Sequence, residues 1–408
     1  MTTPAGVYIS VPFCKAKCTF CNFASDAFGS GRMQGYVDRL CMEIRESRPS
    51  AEKISAILPR EVDSIYFGGG TPSLLAPGQF RQIFEALYDQ FEVARNPEIT
   101  LECAPGQLAN DTLDELLRQG MNRISFGVQS FVDRESSAVG RLHTAEQCIA
   151  EIARVRSVGI EEISLDLIAG LPHQTGQSWR YSLDQAIATG VPHLSVYMLE
   201  VDEESRLGKE MLTGGARYHA SAVPSEDDAA TWYQIACEAF DAAGVAQYEI
   251  SNFARHGHAS RHNLKYWHRE PYIGFGLDAH SMLLSNEAAV RFANTNDLDV
   301  YLNQSAITDT VGLHQLAKLI RANEVDIIGH TEAFEESLFL GLRLNEGVSI
   351  ESLRQQFGET MLQDAMESLR DVHDAGLLEI DAERIRLTSR GRMVSNEVFS
   401  RVLVSAAA

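Results

Sequence analysis

Short apolar runs rich in β-branched residues alternate with stretches of helical period over the first 200 residues of the chain. This alternation is typical of parallel βα units, in which each strand is followed by a helix that packs on the sheet. Such units with right-handed crossovers predict an α/β fold built on a partial, TIM-like (β/α)6 barrel. The six predicted strands are VYISV from Val7, VDSIYF from Val62, EITLEC from Glu98, RISFGV from Arg123, EISLDLI from Glu162 and HLSVYML from His193.

The alternation fades after about residue 205, where a charged connector, a helix around 229–243 and an irregular, histidine-rich segment from 247 to 281 follow. From Glu332 onward, helical stretches, a β pair in LLEIDAERIRLT and a last helix at 390–403 have the order of a winged-helix module. The domains expected are the partial barrel at 1–215, a barrel-capping segment at 216–330 and a winged-helix-like α+β domain at 331–408.

Composition indicates a globular protein that can bury a large core, since 45% of the 408 residues are hydrophobic and 22% are charged. The net charge of -21 would repel phosphates, so we expect no nucleic acid as the main partner. No apolar stretch is long enough for a transmembrane segment and the N-terminus is unlike a signal peptide, so we expect a cytoplasmic protein.

Three of the seven cysteines, Cys14, Cys18 and Cys21, form a C-x3-C-x2-C cluster directly after the first predicted strand. Thiolates ligate both zinc and iron-sulfur clusters. A structural zinc site usually has four ligands, but no fourth cysteine is near and no histidine precedes His143. A 4Fe-4S cluster held by three thiolates keeps one iron open, and we favour it over zinc. The scattered cysteines are interpreted as small buried hydrophobes: Cys41, Cys103, Cys148 and Cys237.

Other distinctive residues also follow or end predicted strands, where the chemistry of such barrels sits. Gly68-Gly69-Gly70-Thr71-Pro72 follows the second strand and leaves backbone groups open to a ligand. Glu102, Gln129 and Asp166 belong to the next three strands. Each alone would be an ordinary turn or strand-end residue, but together they predict a polar barrel mouth.

The motifs YISVPFCKAKCTFCNF, FGGGTPS, LECAPG, RISFGVQSF, DLIAGLPHQT, QYEISNFAR and HNLKYW resemble the radical SAM superfamily, and within it the oxygen-independent coproporphyrinogen III oxidase-like family. The resemblance implies that the three cysteines hold a 4Fe-4S cluster whose open iron chelates S-adenosylmethionine (SAM). Electron transfer to SAM would then release a 5'-deoxyadenosyl radical. The positions that match SAM contacts are Tyr8, Phe20, Gly69, Gly70, Thr71, Glu102, Gln129, Arg141 and Asp166.

Two branches of this family differ in their sequence motifs, and this chain can be compared with each of them. The oxidase resembles CxxxCxxCxC, whereas Asn22-Phe23 follow Cys21 here, and the oxidase's long N-terminal extension is missing. The HemW-like branch of heme chaperones carries an HNxxYW motif. Imidazole can ligate heme iron, and aromatic faces suit a porphyrin. The matching residues, interpreted as heme-binding, are His262, Asn263, Tyr266 and Trp267, with rival ligands at His256, His258, His268 and His280.

The resemblance therefore implies a heme chaperone that uses the cluster and SAM to deliver heme to an acceptor protein, with an electron donor for the cluster. The alternatives are the oxidase, which decarboxylates coproporphyrinogen III to protoporphyrinogen IX, and another porphyrin-directed radical enzyme. The cysteine motif speaks against oxidase activity. The winged-helix-like module mixes acidic residues with its arginines, so we interpret it as a lid or partner surface.

Overall fold

The structure is a computed structural model that describes residues 3–285, 289–303 and 325–403. Parts of the predicted capping segment, 286–288 and 304–324, lie outside the described residues, as do the chain ends at 1–2 and 404–408. The described strands are β1 Ala5–Val11, β2 Ala56–Ile57, β3 Glu61–Gly69, β4 Glu92–Cys103, β5 Arg123–Gln129, β6 Glu162–Ala169, β7 His193–Met198, β8 Ala246–Gln247, β9 Asn252–Ala254, β10 Tyr272–Phe275, β11 His280–Ser285, β12 Ala289–Ala293, β13 Asp326–Ile328, β14 Val348–Ser349, β15 Leu378–Ile380 and β16 Arg384–Leu387.

The helices surround and extend this sheet. Within the described ranges, no helix is both long and apolar enough to cross a membrane. The helices are α1 Met33–Arg45, α2 Ser47–Lys53, α3 Pro77–Gln90, α4 Asn110–Arg118, α5 Asp133–Ala138, α6 Ala145–Ser157, α7 Gly176–Ala188, α8 Arg206–Leu212, α9 Glu226–Ala242, α10 Arg261–Trp267, α11 Leu298–Asn303, α12 His330–Gly341, α13 Ile350–Phe357, α14 Glu359–Ser368, α15 Arg370–Asp374, α16 Ser389–Met393 and α17 Ser395–Val402.

The six predicted barrel strands are confirmed. They pair in parallel in the order β1-β3-β4-β5-β6-β7, with helices between successive strands, so their C-terminal ends meet at one mouth. Among the strands that the structure describes, the sheet does not close on itself, because β7 pairs with the short antiparallel β9 and β1 pairs with β10. The fold is the predicted partial barrel.

Alternation along the strands separates an apolar outer face from a polar interior. Val7, Ile9 and Val11 of β1 are fully buried in the main hydrophobic core. Tyr8, between them, points the other way and stacks on Tyr66 of β3 with ring centroids 6.0 Å apart. The helices thus pack on the outer face, and the interior is left to polar and aromatic side chains.

The segment predicted to be irregular contains more regular structure than expected. Helix α9 matches the predicted helix around 229–243. Beyond it, β10 adds a further parallel strand beside β1, and β11, β12 and β13 continue the sheet in antiparallel pairs. These strands have three to six residues each, too few to show a clear period-two pattern in the sequence.

Helix α10 closes the barrel from below, near the N-terminal ends of the strands. The carboxylate of Glu98 in β4 accepts hydrogen bonds from Ser260 Oγ at 3.1 Å, from the Arg261 amide at 3.0 Å and from the His262 amide at 2.9 Å. These donors include two of the amides that a helix N-terminus leaves without intrahelical partners. A buried strand residue therefore fixes the start of the helix that carries the HNxxYW motif.

The C-terminal residues fold in the predicted order of helices and a β pair, with a second hydrophobic core. Strands β14, β16 and β15 form a small sheet, and the predicted last helix is divided at Val394 into α16 and α17. This domain packs on the extended sheet, since Glu336 of α12 pairs with Arg269 at 2.8 Å and with Arg291 at 2.6 Å.

Candidate functional site

The cysteine loop follows β1 and lies at the mouth of the barrel. Cys14, Cys18 and Cys21 all line one cavity of about 770 Å³. The loop is fixed at its base because the Cys14 amide donates to the Asp26 carbonyl at 3.0 Å, and a short turn joins the Cys21 amide to the Cys18 carbonyl at 3.3 Å. The backbone thus presents all three predicted cluster ligands to the same space.

Hydrogen-bond donors approach the cysteine sulfurs. Thr71 Oγ1 lies 3.7 Å from Cys14 Sγ, and Arg141 Nη1 lies 3.6 Å from Cys18 Sγ. Donors of this kind stabilise thiolates, the form that ligates metal. Burial nevertheless raises the pKa of the Cys14 and Cys21 thiols above the ordinary value. Loading a cluster must therefore displace protons from thiols that are neutral by themselves at pH 7.

The three thiols share the cavity without converging on one point. In the part of the chain that the structure describes, no three histidine, cysteine or acidic side chains are placed to hold a single metal ion. In a 4Fe-4S cluster each thiolate binds a different iron, so its ligands need not converge. Three cysteines without a fourth protein ligand also leave one iron for an exchangeable ligand. The donor set therefore fits a cluster of this kind.

The glycine turn after β3 brings backbone close to the cysteine loop. Gly69 has φ +100°, which favours glycine. The Thr71 amide donates to the Phe13 carbonyl at 2.8 Å. A Cβ on Gly70 would lie 2.8 Å from that carbonyl and 3.0 Å from Cys14 Sγ, too close for any side chain. The glycines are thus required for the two loops to pack together at the cavity.

The residues predicted to contact SAM are distributed over two neighbouring cavities. Tyr8 lies in a smaller cavity of about 310 Å³, which shares Gly69 and Gly70 with the larger one. The other eight line the larger cavity together with the cysteines: Phe20, Gly69, Gly70, Thr71, Glu102, Gln129, Arg141 and Asp166.

Two half-buried carboxyl groups and Arg141 lie on the barrel side of the larger cavity. Burial raises the pKa of Glu102 to about 7 and that of Asp166 to about 6. Tyr66 donates to Glu102 at 2.9 Å, which favours the ionised form and limits the shift. Within the described residues, Arg141 Nε is buried without an acceptor. A ligand with both an ammonium and a carboxylate group, as in the methionine part of SAM, would complement these charges.

The HNxxYW motif lies apart from the cysteines, at the floor of the barrel. His262 is 1% exposed, and burial lowers its pKa to about 3. Its Nδ1 lies 3.0 Å from Ser64 Oγ and its Nε2 lies 2.9 Å from Tyr266 Oη. Tyr266 reaches the smaller cavity, whereas Trp267 packs under an arginine of the C-terminal domain. Asn263 is half-buried near the start of α10.

The four other histidines considered as heme ligands have different surroundings. His258 Nδ1 is 2.8 Å from Glu162, and His268 Nε2 is 3.9 Å from Glu346. His256 is exposed in the loop before α10. His280 begins β11 and lines the smaller cavity. Of these four, only His280 lies beside a cavity that adjoins the cysteine loop.

Several cavity residues were missed by the sequence analysis. Strand alternation could have identified Ser125, which lies two residues from the cavity residue Gly127 on the same face of β5. No local signal could have identified those from the distant C-terminal domain, which reach the cavity through tertiary packing. They are Arg343, Arg392, Met393, Val394, Ser395, Asn396 and Glu397.

Comparisons with known proteins agree with this architecture. Residues 8–186 match the radical SAM superfamily, and residues 328–394 match the HemN C-terminal domain. The solved structure of the coproporphyrinogen III oxidase HemN from Escherichia coli superposes with a TM-score of 0.79 at 21% identity, covering 99% of this chain and 91% of that one. At that identity the likeness shows the fold. The fold and the cysteine site together define a radical SAM protein.

Full-length relatives define the family more closely. The heme chaperone HemW of Bacillus subtilis is 31% identical over 97% of this chain and 98% of its own. The mitochondrial radical S-adenosyl methionine domain-containing protein 1 of Mus musculus is 30% identical over 98% of this chain and 88% of its own. The chain belongs to the HemW family of radical SAM proteins. Membership of the radical SAM superfamily implies a 4Fe-4S cluster and SAM as cofactors.

Proposed function

We propose that this chain is a radical SAM heme chaperone, which binds a 4Fe-4S cluster, SAM and heme and transfers the heme to an acceptor protein. The observation that carries the proposal is the shared cavity, where Cys14, Cys18 and Cys21 lie beside eight of the nine positions matching SAM contacts. Full-length relatives that are themselves called heme chaperones support heme as the cargo.

The protein's part is to hold and orient the cofactors. The three cysteines would hold the cluster, and Thr71 and Arg141 would donate to two of their sulfurs. Glu102, ionised above pH 7, would accept from the SAM ammonium group, and Arg141 Nε would donate to its carboxylate. When bound, the cluster would supply an electron to SAM. An external donor would then have to replace that electron.

The residue at the oxidase's additional cysteine position supports the chaperone over the oxidase. Phe23 occupies that position, is 62% exposed and lines both cavities. A phenyl ring has no thiol chemistry, but it can lie against a flat porphyrin. The aromatic side chains of the smaller cavity, Tyr266 of the HNxxYW motif among them, would provide further contact surface for heme.

The test is an anaerobic assay of the cluster-reconstituted protein with SAM, a reductant and coproporphyrinogen III, with ferric heme titrated into a parallel sample. We expect saturable heme binding and no protoporphyrinogen IX. Decarboxylation at a steady rate would contradict the proposal and identify an oxidase. Conversion of bound heme to a modified porphyrin, with SAM consumed, would identify a different porphyrin-directed radical enzyme.

A further inference from the structure

The smaller cavity has the chemistry of a site for a flat aromatic ligand. Its walls carry the rings of Tyr8, Phe23, Tyr266 and Tyr272, and the last two meet edge to face with centroids 4.6 Å apart. Aromatic rings in such arrangements pack favourably on other π-systems. At about 310 Å³ the cavity lies at the lower end of ligand pockets, so a larger planar ligand would remain partly outside it. Partial exposure suits a ligand that must be handed on.

His262 is poorly suited to ligate an iron in this cavity. Both of its ring nitrogens already lie at hydrogen-bond distance from hydroxyl groups, Ser64 Oγ and Tyr266 Oη. The ring of Tyr66 stacks on it at 5.1 Å, and that of Tyr266 meets it edge-on at 5.3 Å. An iron would have to bind along the lone pair of one of these nitrogens, and the two hydroxyl groups occupy both positions. Moving the ring out would take this partner from the fully buried Ser64 hydroxyl and from the half-buried Tyr266 hydroxyl.

His280 has the two properties of an iron ligand that His262 lacks, an exposed position at the cavity and, within the described residues, a free ring nitrogen. It is the first residue of β11, is exposed and lines the cavity. Its backbone is fixed, because the neighbouring Ala279 carbonyl accepts from the Asn294 amide at 2.9 Å. In the described residues no hydrogen bond or ion pair engages its ring, so a nitrogen is free to bind metal. The carboxyl group of Asp278, two residues earlier, lines the same cavity.

We propose that His280, and not His262 of the HNxxYW motif, is the axial ligand that this chain offers to a heme iron at the smaller cavity. The inference rests on the proposed heme function and specifies its site. His262 is then a structural residue that fixes α10 and orients Tyr266 toward the ligand. Gly69, Gly70, Phe23 and Ser25 line both cavities, so heme bound here would lie beside the cysteine loop.

The first test is a spectroscopic titration of the full-length protein with ferric heme. We expect His280→Ala to weaken binding by about tenfold or more and to shift the Soret band and the electron paramagnetic resonance signal, because the axial ligand is lost. Added imidazole should restore the wild-type spectrum by occupying the vacated position. The matched control is His256→Ala, an exposed histidine in the loop that enters α10 at the barrel floor, which should titrate like the wild type.

A second variant separates structural loss from ligand loss. His262→Gln can keep hydrogen bonds to both hydroxyl groups, so we expect a folded protein with a lower melting temperature and an unchanged heme spectrum. Metal-free protoporphyrin IX, which needs no axial ligand, should bind His280→Ala and the wild type equally. Loss of the heme spectrum in folded His262→Gln, with His280→Ala unchanged, would overturn this inference alone. Failure of the wild type to bind heme would instead overturn the proposed function.

Discussion

The three predicted cluster cysteines differ from the other cysteines in what surrounds their thiols. Cys148, on α6, is fully buried outside the cavity, and burial raises its pKa to about 12. We expect Cys14→Ala, Cys18→Ala or Cys21→Ala each to abolish the visible absorption of the reconstituted cluster, because each removes one of three thiolate ligands. Cys148→Ala should retain it. Iron and sulfide content would be measured alongside, and stoichiometric zinc in the wild type would contradict a cluster.

Glu102 gives the SAM site a predictable pH dependence. Burial raises its pKa to about 7, so below that pH the carboxyl group is neutral and cannot pair with an ammonium group. SAM affinity should therefore increase as pH rises from 6 to 8, with the midpoint near 7. Isothermal titration of the reconstituted protein would measure it. Glu102→Gln should bind SAM weakly and lose the slope in this range, whereas an unchanged slope would assign the titration to another group.

For single residues, the sequence predicts the site well when the functional side chains are close together in the chain. The cysteines were found because their spacing alone predicts a metal site, and the structure places all three at one cavity. The heme residues are harder, because the availability of an imidazole depends on distant partners. His262 is engaged by Ser64, nearly two hundred residues earlier in the chain. No motif at positions 262–267 could reveal that contact.

Elements with a strong period were predicted correctly, and the rest depended on tertiary pairing. All six barrel strands combine apolar outer residues with polar inner ones, and this alternation predicts them from the sequence. The extension by β10 to β13 escaped prediction, since these strands are short and gain stability by pairing with a sheet already present. The division of the last helix at Val394 is likewise a consequence of packing that the pattern does not show.

Glu98 should be decisive for the stability of α10. It is buried, accepts from the start of that helix and lies 3.6 Å from the buried Arg123 guanidinium. Glu98→Ala would leave the arginine and the helix donors without this acceptor, and we expect a loss of about 3–5 kcal/mol in the free energy of unfolding. Glu92, exposed on the same strand and 3.9 Å from Arg60, is the matched control, and Glu92→Ala should cost less than about 1 kcal/mol. Urea denaturation measures both, and equal losses would contradict the role given to Glu98.

At the scale of the whole molecule, the larger cavity is a joint product of two regions far apart in sequence. The barrel provides the cysteines and the carboxyl groups of Glu102 and Asp166, and the C-terminal domain provides Arg343 and the turn between α16 and α17. The two regions are joined by backbone as well, because the Asn345 amide donates to the Tyr248 carbonyl at 2.9 Å. The C-terminal domain is therefore a wall of the site.

Arg343 of the C-terminal domain contacts two residues of the preceding region. Its guanidinium lies 4.3 Å over the ring of Trp267 and 3.6 Å from the carboxylate of Glu249, which is fully buried. Arg343→Met keeps much of the apolar stem but leaves that carboxylate unpaired, so we expect a loss of about 3–5 kcal/mol in the free energy of unfolding. Because the lost contact joins two regions, the C-terminal domain should also become more susceptible to limited proteolysis.

The double variant Arg343→Met with Glu249→Gln tests whether the unpaired charge is the cause. Glutamine can still accept from the Ser251 amide and the Asn252 side chain, as Glu249 does at 2.9 and 2.5 Å. With no buried charge left, most of the lost stability should return, because breaking a buried pair costs more than replacing both partners. A double variant no more stable than Arg343→Met would show that the stacking on Trp267, rather than the ion pair, holds the two regions together.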